Sequence, residues 1–219
     1  QRHTIDENLM LLQLQGVDIT KADKKPHLPL TREEETFADQ FIQQHIGKKK
    51  QFLIGLHPGS SELAGMIYKR WPAEHFAAAS DILSERYKAT VMLFGGENER
   101  ELKQRIAFMM KHKPILVDTP RIFHTAALIK KCSLFLSNDT GLMHFASTFQ
   151  VPSVIVTGHI NPEKTKPLHR NSKVLAAPHP CQPYQIGQDL ACKHAGTSAY
   201  CLNQITVDQI CKAKAEVLL

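Results

Sequence analysis

The stretch Leu134-Phe135-Leu136-Ser137-Asn138-Asp139-Thr140-Gly141-Leu142-Met143-His144 passes from large apolar residues into Asn, Asp, Thr and Gly. It then enters a helical pattern with a His one turn in. Gly and Thr are poor helix formers, so something other than helix stability placed them there. A short apolar strand that feeds such a turn and then a helix is the repeating unit of a parallel α/β sheet. The unit recurs along the chain. Phe52–Leu56 leads into His57-Pro58-Gly59-Ser60-Ser61, and Thr90–Phe94 leads into Gly95-Gly96-Glu97. Ile115–Val117 leads into Asp118, and Ser153–Val156 leads into Thr157-Gly158-His159. Helical patterns separate these strands: one entered at Pro72, one carrying Leu102, Ile106 and Met109-Met110, one over 122–131 and one over 141–149. Lys173–Ala176 reads as a sixth strand and Val207–Leu218 as a closing helix. Strands that are apolar throughout are buried on both faces. The alternation therefore predicts an α/β fold with a doubly wound, Rossmann-like parallel sheet.

The first 50 residues have a different character. A short apolar-periodic segment, Leu9 to Leu14, ends at Gly16, and an extended linker with Pro26 and Pro29 follows. Thr31-Arg32-Glu33-Glu34-Glu35 is a helix start, with Thr31 as the cap and acids in the positive first turn. That helix runs to about Ile46 and stops at Gly47. With 219 residues, 42% hydrophobic and 22% charged, the chain can bury a sizeable core without disulfides. Its five cysteines read as reduced thiols, Cys132 and Cys211 as small buried side chains. Cys181, Cys192 and Cys201, with His179 and His194 nearby, contain no Cys-x-x-Cys pair and signal a metal site only weakly. No apolar run has the length of a membrane span. A net charge of +6, clustered at Lys48–Lys50, Lys111–Lys113, Lys130-Lys131 and Lys164–Lys173, is a solvated surface for most of these residues. Its sharper reading is an anionic partner, a phosphate or a membrane surface. No zinc-finger spacing, aromatic RNP-like run or basic heptad points to nucleic acid.

In an open parallel sheet, ligands sit beyond the carboxyl ends of the strands. The residues just after the first, second, fourth and fifth strands are mostly Gly, Ser and Thr, with a few acids and His. Little bulk lets backbone N–H groups approach a phosphate, so a nucleotide diphosphate is the natural occupant. Ser60 and Ser61 sit in the first of these loops, and Glu97 is placed to accept from ribose hydroxyls. Asp139 is either the helix cap or a ligand contact. Thr140 and Gly141 offer N–H groups at a positive helix end, and His144 shares their face. Lys69, just ahead of the Pro72 helix, is placed to neutralise phosphate, while Trp71 reads as a core residue. The sequence has no Asp-x-Asp motif for a metal, so Lys69, a helix N-terminus and His144 would stabilise a leaving diphosphate.

The motifs "LHPGSS…YKRWPAEHFAA", "FGGENE", "SNDTGLMHFAS" and "VTGHINPEKTKP", followed by spaced cysteines, resemble glycosyltransferase family 9 over about residues 51–210. These are the heptosyltransferases of lipopolysaccharide inner-core synthesis. Two features depart from the pattern: Tyr184 stands where many relatives have a second Cys, and Glu62–Tyr68 is unusually apolar. The resemblance implies a GT-B fold, with residues 51–219 as its C-terminal, donor-binding domain and 1–50 as the interdomain connection with its helices. The N-terminal acceptor domain, which would carry the catalytic base, falls outside these residues. The resemblance further implies inverting, metal-independent transfer from an ADP-heptose to a lipopolysaccharide core acceptor at the cytoplasmic face of the inner membrane, with no cofactor and with peripheral contact to anionic lipid. By position, Lys69 would meet donor phosphate, Glu97 ribose and Asp139 sugar hydroxyls. The Thr140 and Gly141 amides would meet phosphate, and His144 would line the same pocket. Two other readings stay open: a non-catalytic nucleotide-binding module, and a sugar-nucleotide hydrolase or epimerase of the same fold, for which Asp118 is the best available acid.

Overall fold

A computed structural model describes residues 2–47, 51–62, 67–158, 161–177 and 201–218. The Lys48–Lys50 cluster, most of the apolar 63–68 segment, His159, Cys181, Tyr184, Cys192 and the two neighbouring histidines lie outside the described residues. One six-stranded sheet organises the chain: β1 (Leu53–His57), β2 (Thr90–Leu93), β3 (Ile115–Leu116), β4 (Leu134–Asn138), β5 (Ser153–Thr157) and β6 (Ser172–Ala176). All neighbouring strands are parallel, in the order β3-β2-β1-β4-β5-β6. The order reverses between β1 and β4, which is where a doubly wound sheet opens a crevice at its carboxyl edge. Three strands run further than their apolar residues do. His57 pairs with Ser137, and Asn138 with Val156, because ladder partners hold these polar residues in extended form.

Alternate residues of each strand go to opposite faces, as the two-residue period requires. Ile54, Leu56, Val91, Leu93, Leu134 and Leu136 enter one core. It is covered by α3 (Ala73–Tyr87), α4 (Arg100–Met109) and α8 (Val207–Val217). Leu53, Met92 and Phe135 enter the other, beneath α2 (Arg32–His45), α5 (Ile122–Lys130) and α6 (Gly141–Thr148). Two further helices, α1 (Thr4–Leu14) and α7 (Pro162–Thr165), bury no side chain. His3 Nε2 lies 2.9 Å from the Lys166 carbonyl and Lys164 pairs with Glu7 at 3.7 Å, which joins the two helices, while the Thr165 hydroxyl of α7 donates to Asp139 at 2.9 Å.

Helix α2 belongs to the second layer although it precedes the first strand. Thr31 and Glu34 form a reciprocal capping box at its start. Its Ala38 is fully buried, and Phe37 stacks on the His124 ring at 3.9 Å. Ion pairs Glu33–Arg121, Glu35–Lys130 and Asp39–Lys131 line the same junction with α5. Exposed pairs of this kind contribute little, so the apolar contacts set the docking.

Trp71 is buried at the entry to α3, edge-on to Phe76 at 4.9 Å, and its indole N–H donates to the Ile205 carbonyl at 2.9 Å. Gly55, in the middle of β1, faces the second core. A methyl group there would come within 2.5 Å of the Phe135 ring and 2.9 Å of Cys132 Sγ. Neither neighbour can retreat, since Phe135 and Cys132 are themselves enclosed. Gly55→Ala is expected to destabilise the fold by about 1–3 kcal/mol through overpacking. Urea denaturation would show this as a lowered midpoint at unchanged slope, and an unchanged midpoint would refute it.

Candidate active site

A cavity of about 1000 Å³ opens at the carboxyl edge of β1 to β4. Its walls come from four loops: His57, Ser60, Ser61 and Glu62 after β1; Gly95 to Arg100 after β2; Val117 to Ile122 after β3; and Thr140, Gly141 and Leu142 after β4. Among the described residues the set differs from the one read in the sequence, with the β3 loop on the wall and no residue of the β5 loop. Strand order explains the difference. β3 lies on the β2 side of β1, whereas β5 lies beyond β4. Gly158, after β5, turns instead towards Cys201 and Leu202, and a methyl there would come 2.9 Å from Cys201 Sγ.

The loops are tied together by groups that sequence reading did not single out. Asn138, fully buried at the end of β4, accepts from the Trp71 N–H at 2.9 Å. Its amide donates to the carbonyls of Pro58 at 2.7 Å and Gly59 at 3.2 Å. Arg70 clamps the β1 loop, with Nε donating to Ser60 Oγ at 3.1 Å and Nη2 to the Ser60 carbonyl at 2.6 Å. His57, 5% exposed, lies between Glu99 Oε2 at 3.3 Å and Thr140 Oγ1 at 2.9 Å. Glu99 also accepts from the Gly96 N–H at 2.8 Å. Burial alone would raise the Glu99 carboxyl, but the His57 bond and charge, the Gly96 N–H and the Arg70 charge together hold it below the usual carboxylate range. A side chain at Gly59 would overlap the Glu99 carboxylate. Lys103, buried in α4, donates to the carbonyls of Gly95 and Val117, each at 3.0 Å, and to Asp118 Oδ1 at 2.7 Å. It thereby fixes the far wall. The positions of His57 and Asn138, last in their strands, are the sequence signal that could have found them.

The residues named from the sequence fall into two groups. Ser60, Ser61, Glu97, Thr140 and Gly141 line the cavity. The carboxylate of Glu97 is 86% exposed and pairs with Arg100, itself exposed, at 3.6 Å, so it is the accessible acid of the β2 loop. A methyl group on Gly141 would meet nothing within 4 Å, so this glycine keeps the mouth of α6 clear rather than serving packing. Lys69, Asp139 and His144 are not on the cavity wall. They form a second group, linked by the charge of Asp139. Burial lowers the Lys69 ammonium from its ordinary value, and Asp139 works against that. His144 has an exposed edge, yet partial burial among residues of its own chain lowers its imidazole; Asp139 opposes the shift and His3 adds to it.

Asp139 does not cap α6, which was one of its two readings. Thr140 occupies the cap position, and the Asp139 carboxylate accepts from the Thr165 hydroxyl at 2.9 Å. The Thr140 hydroxyl does not bond its own helix either, because it faces His57. The cap is thus left to the backbone, and the first N–H groups of α6 point outward. Among the described residues, no three or more metal-ligating side chains gather, and Cys132 and Cys211 are buried free thiols. Burial pushes the Cys132 thiol well above its ordinary value.

Comparison with known proteins gives this arrangement a family. The model of glycosyltransferase family 9 (heptosyltransferase) matches residues 1–194. Lipooligosaccharide heptosyltransferase 2 of Campylobacter jejuni is 30% identical over 153 residues, covering 67% of this chain and 47% of that protein. The family 9 glycosyl transferase of Veillonella parvula superposes with a TM-score of 0.84 at 27% identity, over 100% of this chain and 60% of that one. The Escherichia coli ADP-heptose lps heptosyltransferase II shares the fold, with a TM-score of 0.68 at 23% identity over 88% of this chain and 53% of that one. The chain spans about half the length of the curated relatives it matches. The sheet and its flanking helices have the architecture of a GT-B transferase domain, and the chain belongs to glycosyltransferase family 9, the heptosyltransferases.

Proposed function

We propose that this chain is the donor-binding part of an inverting heptosyltransferase that transfers heptose from ADP-heptose to the lipopolysaccharide inner core. The observation that carries the reading is the open mouth of α6, with Thr140 and Gly141 on the wall of a cavity at the strand-order reversal. A helix N-terminus presents N–H groups and a positive dipole end, which suits a diphosphate. Glu97 then meets the ribose of the donor. Beside the phosphates, Lys69 offsets charge as the diphosphate leaves, Asp139 takes hydroxyls of the heptose, and His144 lies against the same group. The base that activates the acceptor hydroxyl comes from the acceptor-binding domain, so one in-line displacement inverts the anomeric carbon. No resident metal enters the scheme, consistent with the absence of an Asp-x-Asp motif in the sequence. Among the described residues no helix is long and apolar enough to cross a membrane. The scheme places the enzyme at the cytoplasmic face, with basic patches towards anionic lipid.

His144 serves as a neutral ring in this scheme. A group already lowered from the ordinary histidine value is mostly uncharged at neutral pH. Lys69 keeps its charge against burial with the help of Asp139.

Titration calorimetry is expected to show ADP binding more tightly than UDP or GDP. Lys69→Ala should weaken ADP by roughly 10–100-fold, the size of a lost charge-assisted hydrogen bond. Equal affinity for the three nucleotides, or none, would sink the donor assignment. The chain alone should transfer little or no heptose, and rapid release of free heptose from ADP-heptose would mark a hydrolase instead. Asp139→Asn removes the one charge that opposes the lowering of His144. NMR titration should therefore find the His144 midpoint at lower pH in the variant than in the parent protein; an unchanged midpoint would show that the two groups do not interact.

A further inference from the structure

Strand order lays out the cavity from end to end. Its wall passes from the α6 mouth after β4, through the β1 and β2 loops, to the loop after β3. With diphosphate at Thr140 and Gly141 and ribose at Glu97, the nucleobase comes to the β3 loop. Three strand spacings, about 14 Å, separate the two ends, a distance that an extended nucleoside diphosphate covers.

The β3 wall offers a base apolar surface and one open polar group. Pro120 has no N–H, and Ile122, 53% exposed, presents an aliphatic side chain. The polar groups around them are mostly taken. The Val117 carbonyl accepts from Lys103, the Thr119 hydroxyl is bonded to that of Thr125, and Arg121 Nη2 is bonded to Glu33 and His124. Asp118 differs. Its side chain is 69% exposed, and among the described residues only its Oδ1 is engaged.

Lys103 sets which oxygen is taken. Its buried ammonium has three protons, which go to the Gly95 and Val117 carbonyls and to Asp118 Oδ1. Oδ2 is left as an acceptor on the cavity wall. We propose that Asp118, oriented by Lys103, selects a 6-aminopurine over a 6-oxopurine by accepting a hydrogen bond at Oδ2 from the exocyclic amine of adenine. The inference rests on the donor reading above. The chemistry of the competing bases fits this choice. Hypoxanthine and guanine carry a carbonyl oxygen at position 6, which a carboxylate repels. Guanine also has a donor pair, N1–H with its 2-amino group, but that pair calls for both carboxylate oxygens, and Lys103 already holds one.

The test is calorimetric titration of the chain with ADP and with inosine diphosphate, which differ only at position 6 and the adjoining N1. The parent protein should bind ADP about 10–100-fold more tightly, the worth of one hydrogen bond to a charged group. In Asp118→Asn only the amide oxygen can accept from Lys103, so the amide nitrogen, a donor, takes the place of Oδ2. This variant should reverse the preference and favour inosine diphosphate. Asp118→Ala, which has neither group, should bind the two about equally. Lys69→Ala should weaken both alike and keep their ratio, because it acts on the shared diphosphate. A parent protein that does not favour ADP over inosine diphosphate, or an ADP preference that survives in both Asp118 variants, would overturn the role of Asp118 and leave the donor reading standing. An Asn variant that behaves like the Ala variant would overturn the orienting role of Lys103. Failure of the parent protein to bind ADP would overturn the donor reading as well.

Discussion

The carboxamide of Asn138 holds the rest of the site in place. It stands at the end of β4, beside the reversal of strand order, with no access to water. Its three hydrogen bonds all go to backbone: one accepted from Trp71, and donor contacts to Pro58 and Gly59. Those partners belong to two different segments, the loop after β1 and the entry to α3. A buried amide left unpaired would cost about 1–3 kcal/mol, so these bonds are made together or not at all. Trp71 extends the link through its indole N–H to Ile205, ahead of α8. A single side chain thereby fixes Ser60, Arg70 and, one residue earlier, Lys69 relative to the mouth of α6. Electrostatic catalysis requires this kind of fixity, since dipoles already in place need not reorganise as charge develops.

Thr140 divides two environments. On one side lie His57 and Glu99, enclosed, mutually bonded and facing the cavity. On the other lie Asp139, Lys69 and His144, one acid acting on two bases. The proposed donor has the same division, with its nucleotide and phosphates in the cavity and its sugar beyond them. Asp139 is suited to the sugar end because one oxygen is fixed by Thr165 while its charge still reaches Lys69 and His144. Lys69 can neutralise a leaving phosphate only if it remains protonated despite burial, and Asp139 counters the shift that threatens this.

Much of the fold is legible in the sequence because its causes are local. Apolar runs such as Leu134–Leu136 mark doubly buried strands, and Thr31 with Glu34 announces the start of α2. Gly55 reads as one more strand residue, although only the ring of Phe135 explains it. The site is legible as far as single loops go, and less so where loops meet. His57 is paired with Glu99 and Thr140, residues 42 and 83 positions away. No spacing rule connects them, whereas a helix cap three residues from its partner obeys one. The loop after β5 looked like the loop after β4 in composition. Its place depends on sheet order, which is set by how the helices pack and is not written in any one segment. Arg70 carries no signal of its own in the sequence, yet the β1 loop curls back to meet it.

The glycines of the edge decide which acid is available to a ligand. Gly59 and Gly95 share a cause, since a side chain at either would collide with Glu99. At Gly95 the backbone, with φ of +153°, also favours glycine. Their small size lets the Glu99 carboxylate lie inside the rim, where His57 and the Gly96 N–H occupy it. Gly96 and Gly141 are different, because added methyl groups there would meet open space. These two leave room for an occupant instead of for the protein. An acid that is largely enclosed and whose Oε2 already takes two bonds can organise a site but has little left to recognise a ligand. In the motif Glu97-Asn98-Glu99 the two carboxylates therefore divide the work: Glu99 orders the wall from behind, and Glu97, open to solvent at the lip, is the one that can receive hydroxyl donors.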